Sequence, residues 1–184
     1  MYNQRAGFIA LIGEPNVGKS TLLNKMVGSK VSIVTHKVQT TRTRIRGIAV
    51  HDNSQLVFVD TPGLFETKRR LDRAMVASAW SSARDADIVA LLVAANKSYD
   101  VSFEKIIEKL TLKVNPKRVI LVLNKIDRTK SDKILHLVKE FNDSFAFEET
   151  FMISATKGHG LGLLKTWFAN NVPEGPWLYP VDQI

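Results

Sequence analysis

The stretch Gly13-Glu14-Pro15-Asn16-Val17-Gly18-Lys19-Ser20 lies between an apolar run, Gly7 to Ile12, and a segment of helical periodicity, Lys19 to Val27. Strand, glycine-rich turn and helix in that order build a phosphate-binding loop, which narrows the possible folds sharply. The glycines let the backbone turn tightly around an anion, while amide hydrogens and the helix N-terminus supply positive potential. On this reading Gly13, Glu14, Pro15, Asn16, Val17, Gly18, Lys19, Ser20 and Thr21 surround the phosphates, Lys19 reaches the β and γ phosphates, and Ser20 is a magnesium ligand. In another setting the same letters make a glycine-rich turn with a structural lysine, so the rest of the chain has to decide.

Apolar, β-branched runs recur at Gln55 to Val59, Asp87 to Ala95, Arg118 to Leu123 and Thr150 to Ile153, and read as strands. Between them, Lys68 to Ser82, Phe103 to Lys113, Ser131 to Phe141 and Gly162 to Asn170 read as helices. The alternation predicts an α/β P-loop NTPase fold, with a mostly parallel sheet covered by helices on both faces. Arg44 to His51, followed by Asp52-Asn53-Ser54, reads as one arm of a hairpin, so an edge strand is expected to run antiparallel and the sheet to be mixed. At 184 residues the chain fits one domain with a single core.

Two further segments follow apolar runs and are therefore expected at the same sheet edge, where open α/β sheets collect ligands. Asp60-Thr61-Pro62-Gly63 places a carboxylate there to hold magnesium, directly or through water, and a Gly63 amide for the γ-phosphate. Asn124-Lys125-Ile126-Asp127 is a base reader. Asp127 can accept from the N1 hydrogen and the 2-amino group of guanine, where adenine offers an acceptor and no amino group. Lys125 lays its alkyl stem along the base. Asn124 braces the loop, and Ser154, Ala155 and Thr156 complete the pocket, with the Ala155 amide aimed at guanine O6. The four segments together predict GTP and GDP as ligands, with Mg2+ as cofactor.

These residues carry a family resemblance. The chain resembles translation-factor-related GTPases, and most closely the Ras-like G domain of the Era family of bacterial ribosome-assembly GTPases. The likeness rests on Pro15 to Lys25, on Val38-Gln39-Thr40-Thr41-Arg42-Thr43-Arg44, and on Val172 to Pro180. It implies that Thr41, or else Thr40, joins the magnesium shell when GTP is bound, and that the catalytic set is Lys19, Asn16, Thr41 and Gly63. Asn16 is similar to an asparagine that serves as a potassium ligand in related GTPases, which makes K+ a second expected ion; bracing of the loop by its amide is the other reading. Leu64 stands where Ras-type enzymes carry a water-orienting glutamine, so slow hydrolysis is expected.

The resemblance also implies a G domain over 1–172, and a linker over 173–184 leading to a KH domain that this chain lacks. Pro173, Pro176 and Pro180 suit such a connector. Through that domain it implies small-subunit rRNA and the assembling 30S subunit as partners, with peripheral association at the inner membrane face and a monomeric state as further expectations. A net charge of +8 and a pI near 9.8 agree with an acidic partner and equally with a merely soluble surface. Lys37, Arg42, Arg44, Arg46, Lys68, Arg69, Arg70 and Arg73 read either as a nucleotide-gated RNA surface or as a solvated face.

No cysteine is present, and the longest apolar run, Ile88 to Ala95, is too short to span a bilayer, so a cytoplasmic setting is expected. His36, His51, His136 and His159 show no metal-ligand spacing. Two other readings remain: a sister GTPase of tRNA modification or large-subunit assembly, and a nucleotide-gated scaffold that does not hydrolyse GTP.

Overall fold

The computed structural model describes residues 4–28, 45–59, 77, 80–113 and 118–180. Uninterrupted apolar runs form the middle of a six-stranded sheet, because a strand covered on both faces has no solvent side on which to place polar residues. The strands are Arg5–Gly13 (β1), Ile45–His51 (β2), Ser54–Val59 (β3), Ile88–Ala94 (β4), Arg118–Asn124 (β5) and Thr150–Met152 (β6). Every residue of β4 is buried. The order is β2-β3-β1-β4-β5-β6, and β2 alone runs antiparallel, joined to β3 by the tight turn at Asp52 and Asn53. The mixed, mostly parallel sheet expected from the sequence is thus present.

Successive side chains of a strand point to opposite faces, and the core divides accordingly. Val89, Leu91 and Val93 of β4 and Val119, Leu121 and Leu123 of β5 meet the helices Val101–Lys113 (α2) and Ser131–Ser144 (α3) through Phe103, Ile106, Leu110, Leu137 and Phe141. Their neighbours Ile88, Ala90, Leu92, Ile120 and Val122 turn the other way, onto Leu22 and Met26 of Lys19–Val27 (α1) and Leu164 and Phe168 of Leu161–Asn171 (α4). Each of the larger of these side chains contributes about 1.5–3 kcal/mol on burial. Phe103 and Phe141 meet edge-on at 5.2 Å between ring centroids, as do Phe58 and Phe168 at 6.1 Å.

Local chemistry moves several helix ends from where periodicity places them. α2 starts two residues earlier than expected because Asp100 caps it, accepting from the Ser102 amide at 2.9 Å and the Phe103 amide at 3.3 Å. Those donations, with one from the Ser102 hydroxyl as the largest cause, hold the Asp100 carboxyl below its ordinary range. α3 runs on past Phe141 to Ser144. Of the helix expected over Lys68 to Ser82, residues 77 and 80–82 are described as helical, and the helix continues to residue 85. No helix among the described residues is long and apolar enough to cross a membrane.

After α4 the chain turns back along the sheet. The Ala6 amide donates to the Pro173 carbonyl and the Gly175 amide to that of Gln4, while Arg5 Nη1 donates to the Val172 carbonyl at 2.9 Å and Arg5 Nη2 pairs with Glu174 at 2.8 Å. Gly7 permits this approach, since a Cβ there would stand 2.9 Å from the side chains of Val172 and Pro173. Further on, Gln55, with no exposed surface, donates to the Tyr179 carbonyl and accepts from the Leu178 and Tyr179 amides. Tyr179 itself is buried against Ile48 and Val57. Replacing Gln55 by leucine keeps the bulk and orphans these backbone groups. Gln55→Leu is expected to cost about 2–4 kcal/mol, lowering the thermal midpoint by roughly 5–15 °C in a circular-dichroism melt.

Candidate functional site

β1 and β4 lie side by side, and the connections leaving their C-terminal ends run to opposite sides of the sheet. In open α/β sheets this is the crevice in which ligands bind. The loop after β1 enters α1 at Gly18, whose left-handed backbone (φ 104°) and lack of a side chain are both required: a Cβ there would fall 2.3 Å from Asn124 Nδ2. No side chain caps α1, and its first helical bond runs from the Leu22 amide to the Gly18 carbonyl. The amides before it, Gly18 to Thr21, are the orphan donors of a helix start and suit an anion.

Lys19 projects back over this loop, its Nζ donating to the Gly13 carbonyl at 2.6 Å and the Glu14 carbonyl at 3.0 Å. Half-buried, the ammonium is pulled below its ordinary pKa by desolvation, against which the Glu14 charge acts. A phosphate in the loop would oppose that desolvation by direct charge pairing. The Ser102 hydroxyl of α2 lies 3.0 Å from Glu14 Oε1 and 2.6 Å from Asp100 Oδ1, so its single hydrogen serves one carboxylate at a time.

Asn124, at the end of β5 and 3% exposed, ties the loops together. Its Nδ2 donates to the Val17 carbonyl at 2.8 Å and its Oδ1 accepts from the Ala155 amide at 2.9 Å. The Ala155 amide, anticipated to donate to guanine O6, here donates to Asn124, whose buried carboxamide oxygen requires a donor.

Next in the chain, Lys125 adopts φ 65° and donates from Nζ to the carbonyl of Asn16, itself at φ 63°. Left-handed backbone at a residue other than glycine costs of order 1 kcal/mol and is held only where surroundings enforce it. Here the Lys125 side chain joins the two left-handed residues across the site.

Asp127 lies on the 3-10 turn Ile126–Arg128. Its carboxyl is held below the ordinary carboxylate range, chiefly by the Ser154 hydroxyl and less by the charges of Arg128 and Lys157. A lowered native pKa means that this contribution to stability is present above the unfolded value and is lost only as pH falls through the native one. Ser154 is fully buried, and the turn after it closes through the Gly158 amide on the Ser154 carbonyl at 2.8 Å.

Two hollows meet over these residues. One, of about 460 Å³, is lined by Pro15, Asn16, Gly18, Lys19, Ser20, Thr21 and Lys125. The other, of about 180 Å³, is lined by Gly18, Thr21, Asn124, Lys125, Arg128, Ala155 and Thr156. They share Gly18, Thr21 and Lys125, so a ligand reaching from one into the other would carry its anionic part over the α1 N-terminus and its ring beside the Asp127 turn. An apolar cavity of about 150 Å³ accepts a benzene ring, and the smaller hollow exceeds that.

Thr40, Thr41, Asp60, Thr61, Pro62, Gly63 and Leu64, with the basic positions Lys37, Arg42, Arg44, Lys68, Arg69, Arg70 and Arg73, lie outside the described residues. Of the expected metal ligands Ser20 alone is described, exposed in the first turn of α1. Among the described residues no group of three metal-ligating side chains gathers elsewhere. Sequence reasoning missed Arg128, which follows a known pattern without belonging to it, and the influence of Ser154 on Asp127, which no local pattern encodes.

A family model described as 50S ribosome-binding GTPase matches residues 8–125. Over 98% of this chain, GTPase Era of Dinoroseobacter shibae is 59% identical and that of Agrobacterium fabrum 54% identical. The chain spans 59% and 56% of the length of these relatives. Among solved structures, Era in complex with MgGDPNP and nucleotides 1506–1542 of 16S ribosomal RNA superposes with a TM-score of 0.81 at 37% identity, over 97% of this chain and 61% of that one. An Aquifex aeolicus Era variant bound to GDP and tetrafluoroaluminate gives 0.79 at 36% identity, over 96% of this chain and 60% of that one. Loop, sheet order and sequence likeness agree, and the chain belongs to the 50S ribosome-binding GTPase family, where it is similar to the G domain of Era.

Proposed function

We propose that this domain binds GTP with magnesium and hydrolyses it slowly to GDP and phosphate, as the nucleotide switch of a protein acting on small-subunit rRNA during ribosome assembly. The observation carrying this reading is the pair of adjoining hollows, one floored by an uncapped helix start and Lys19, the other beside Asp127. Family membership and the relatives solved with MgGDPNP, 16S rRNA and GDP support it.

In this reading Lys19 exchanges its loop carbonyls for β and γ phosphate oxygens, and the Gly18 to Thr21 amides hold the chain of phosphates. Gly13, Glu14, Pro15, Asn16 and Val17 wrap the remainder, with Thr61, Pro62 and Gly63 on the γ side. The site fits a phosphate-bound divalent ion: Ser20 offers an exposed hydroxyl beside the phosphate hollow, and Mg2+ characteristically takes one or two protein ligands together with phosphates and water. Asp60 and Thr41 complete that set. Bound there, Mg2+ supplies neutralisation of the charge that develops on the transferred phosphoryl group.

At the base end the Asp127 carboxylate accepts from guanine N1–H and the 2-amino group, and the Lys125 stem lies along the ring with Ser154, Ala155 and Thr156 closing the pocket. Asn124 holds both ends in register and so positions the ligand without touching the reacting atoms.

Slow turnover follows from Leu64, which cannot orient water, and leaves room for a monovalent ion held by Asn16. The rRNA partner is proposed for the whole protein on the strength of the relative bound to 16S rRNA. Single-turnover hydrolysis of radiolabelled GTP separates a switch from a scaffold, in which no phosphate would be released.

Two outcomes are expected. Asp127→Asn should weaken GTP binding on the order of a hundredfold and create affinity for xanthosine triphosphate, as read by isothermal titration; unchanged preference for guanine would sink the base assignment. Turnover in potassium chloride should exceed that in sodium chloride by about threefold or more at equal ionic strength, and Asn16→Ala should remove the difference; equal rates in both salts for the unaltered protein would refute a potassium role.

A further inference from the structure

We propose that Arg128 is a base-contacting residue, its guanidinium lying flat against the purine and adding affinity that Asp127 and Lys125 do not supply. This rests on the nucleotide reading above and deepens it.

Arg128 closes the 3-10 turn that carries Asp127 and lines the hollow of about 180 Å³, together with Asn124, Lys125, Ala155 and Thr156. It is absent from the lining of the larger hollow over the α1 N-terminus. Its charge therefore sits where the ligand is aromatic, not where it is anionic. The side chain is 70% exposed, and its one described ion pair is to Asp127, with Nε 3.8 Å from Oδ2. An exposed pair at that spacing contributes little, so the guanidinium moves over a ring without sacrificing a strong bond.

Its chemistry selects stacking. A guanidinium is planar and weakly hydrated and lies face to face on π systems, which an ammonium does not. Its attraction to a ring face at a partly exposed site corresponds to roughly three- to tenfold in affinity. Of the two cations lining this hollow, Lys125 is engaged through Nζ with the Asn16 carbonyl and offers its stem to the base, while the guanidinium of Arg128 is held by the weak pair with Asp127.

A rival account is that Arg128 acts only through the charge of its neighbour, keeping Asp127 ionised. The two separate in a double-mutant cycle. GDP affinity is measured by displacement of a fluorescent GDP from the full chain, for the unaltered protein, Arg128→Ala and Arg128→Lys; xanthosine diphosphate is then titrated into Asp127→Asn with and without Arg128→Ala. Arg128→Ala is expected to weaken GDP about three- to tenfold, lysine is expected to recover less than half of that loss, and the same loss should persist for xanthosine diphosphate when position 127 is neutral. A change below about twofold, full rescue by lysine, or a loss that disappears in the Asp127→Asn background would overturn the assignment. Failure of the unaltered protein to bind GDP would overturn the nucleotide reading and this one with it, whereas GDP binding indifferent to Arg128 removes only the stacking contact.

Discussion

The carboxamide of Asn124 is the joint on which the ligand-binding edge depends. Its donor and acceptor are both satisfied by backbone, Val17 on one side and Ala155 on the other, and the group is almost wholly buried. A buried amide left with one partner costs about 1–3 kcal/mol, so the loops after β1, β5 and β6 are each held by the requirement to satisfy the same side chain. Gly18 has no Cβ because Asn124 occupies that space. The distance between the floor of the phosphate hollow and the floor of the smaller hollow is thereby a property of the sheet and not of the loops.

Around that joint the charged groups have partners within the protein. Lys19 rests on carbonyls, Glu14 faces both Lys19 and Ser102, and Asp127 rests on Ser154. Glu14 also approaches the first turn of α2, where Ser102 stands between it and Asp100.

How much of this was legible beforehand depended on range. β4 announced itself because complete burial leaves an unbroken apolar run, and the phosphate loop and Asn124-to-Asp127 could be placed at one edge because each directly follows such a run. The start of α2 at Val101 was in principle readable from Asp100, a capping side chain that periodicity ignores. Gln55 was not: in a strand with every residue buried it breaks the apolar pattern, and its reason lies more than 120 residues away at Leu178 and Tyr179. The left-handed turns at Asn16 and Lys125 were equally hidden, since neither residue is glycine and the bond between them joins distant loops. The bond from the Ala155 amide to Asn124 was hidden as well, since it joins residues 31 positions apart.

The closing strap has a consequence for how the chain is made. Arg5 and Glu174 are separated by 169 positions, and the carboxamide of Gln55 waits for partners 123 and 124 residues downstream. A polypeptide emerges N-terminal end first, so β1 and β3 leave the ribosome long before the segment that covers them. Until Val172 to Tyr179 arrive, Gln55 lacks the buried partners it was placed for, and the groove beside Gly7 and Val57 stands open to water. Nascent chains of this domain therefore pass through a long interval in which most of the sheet is built and one seam is unsealed, and an early stop in translation leaves that seam exposed for good.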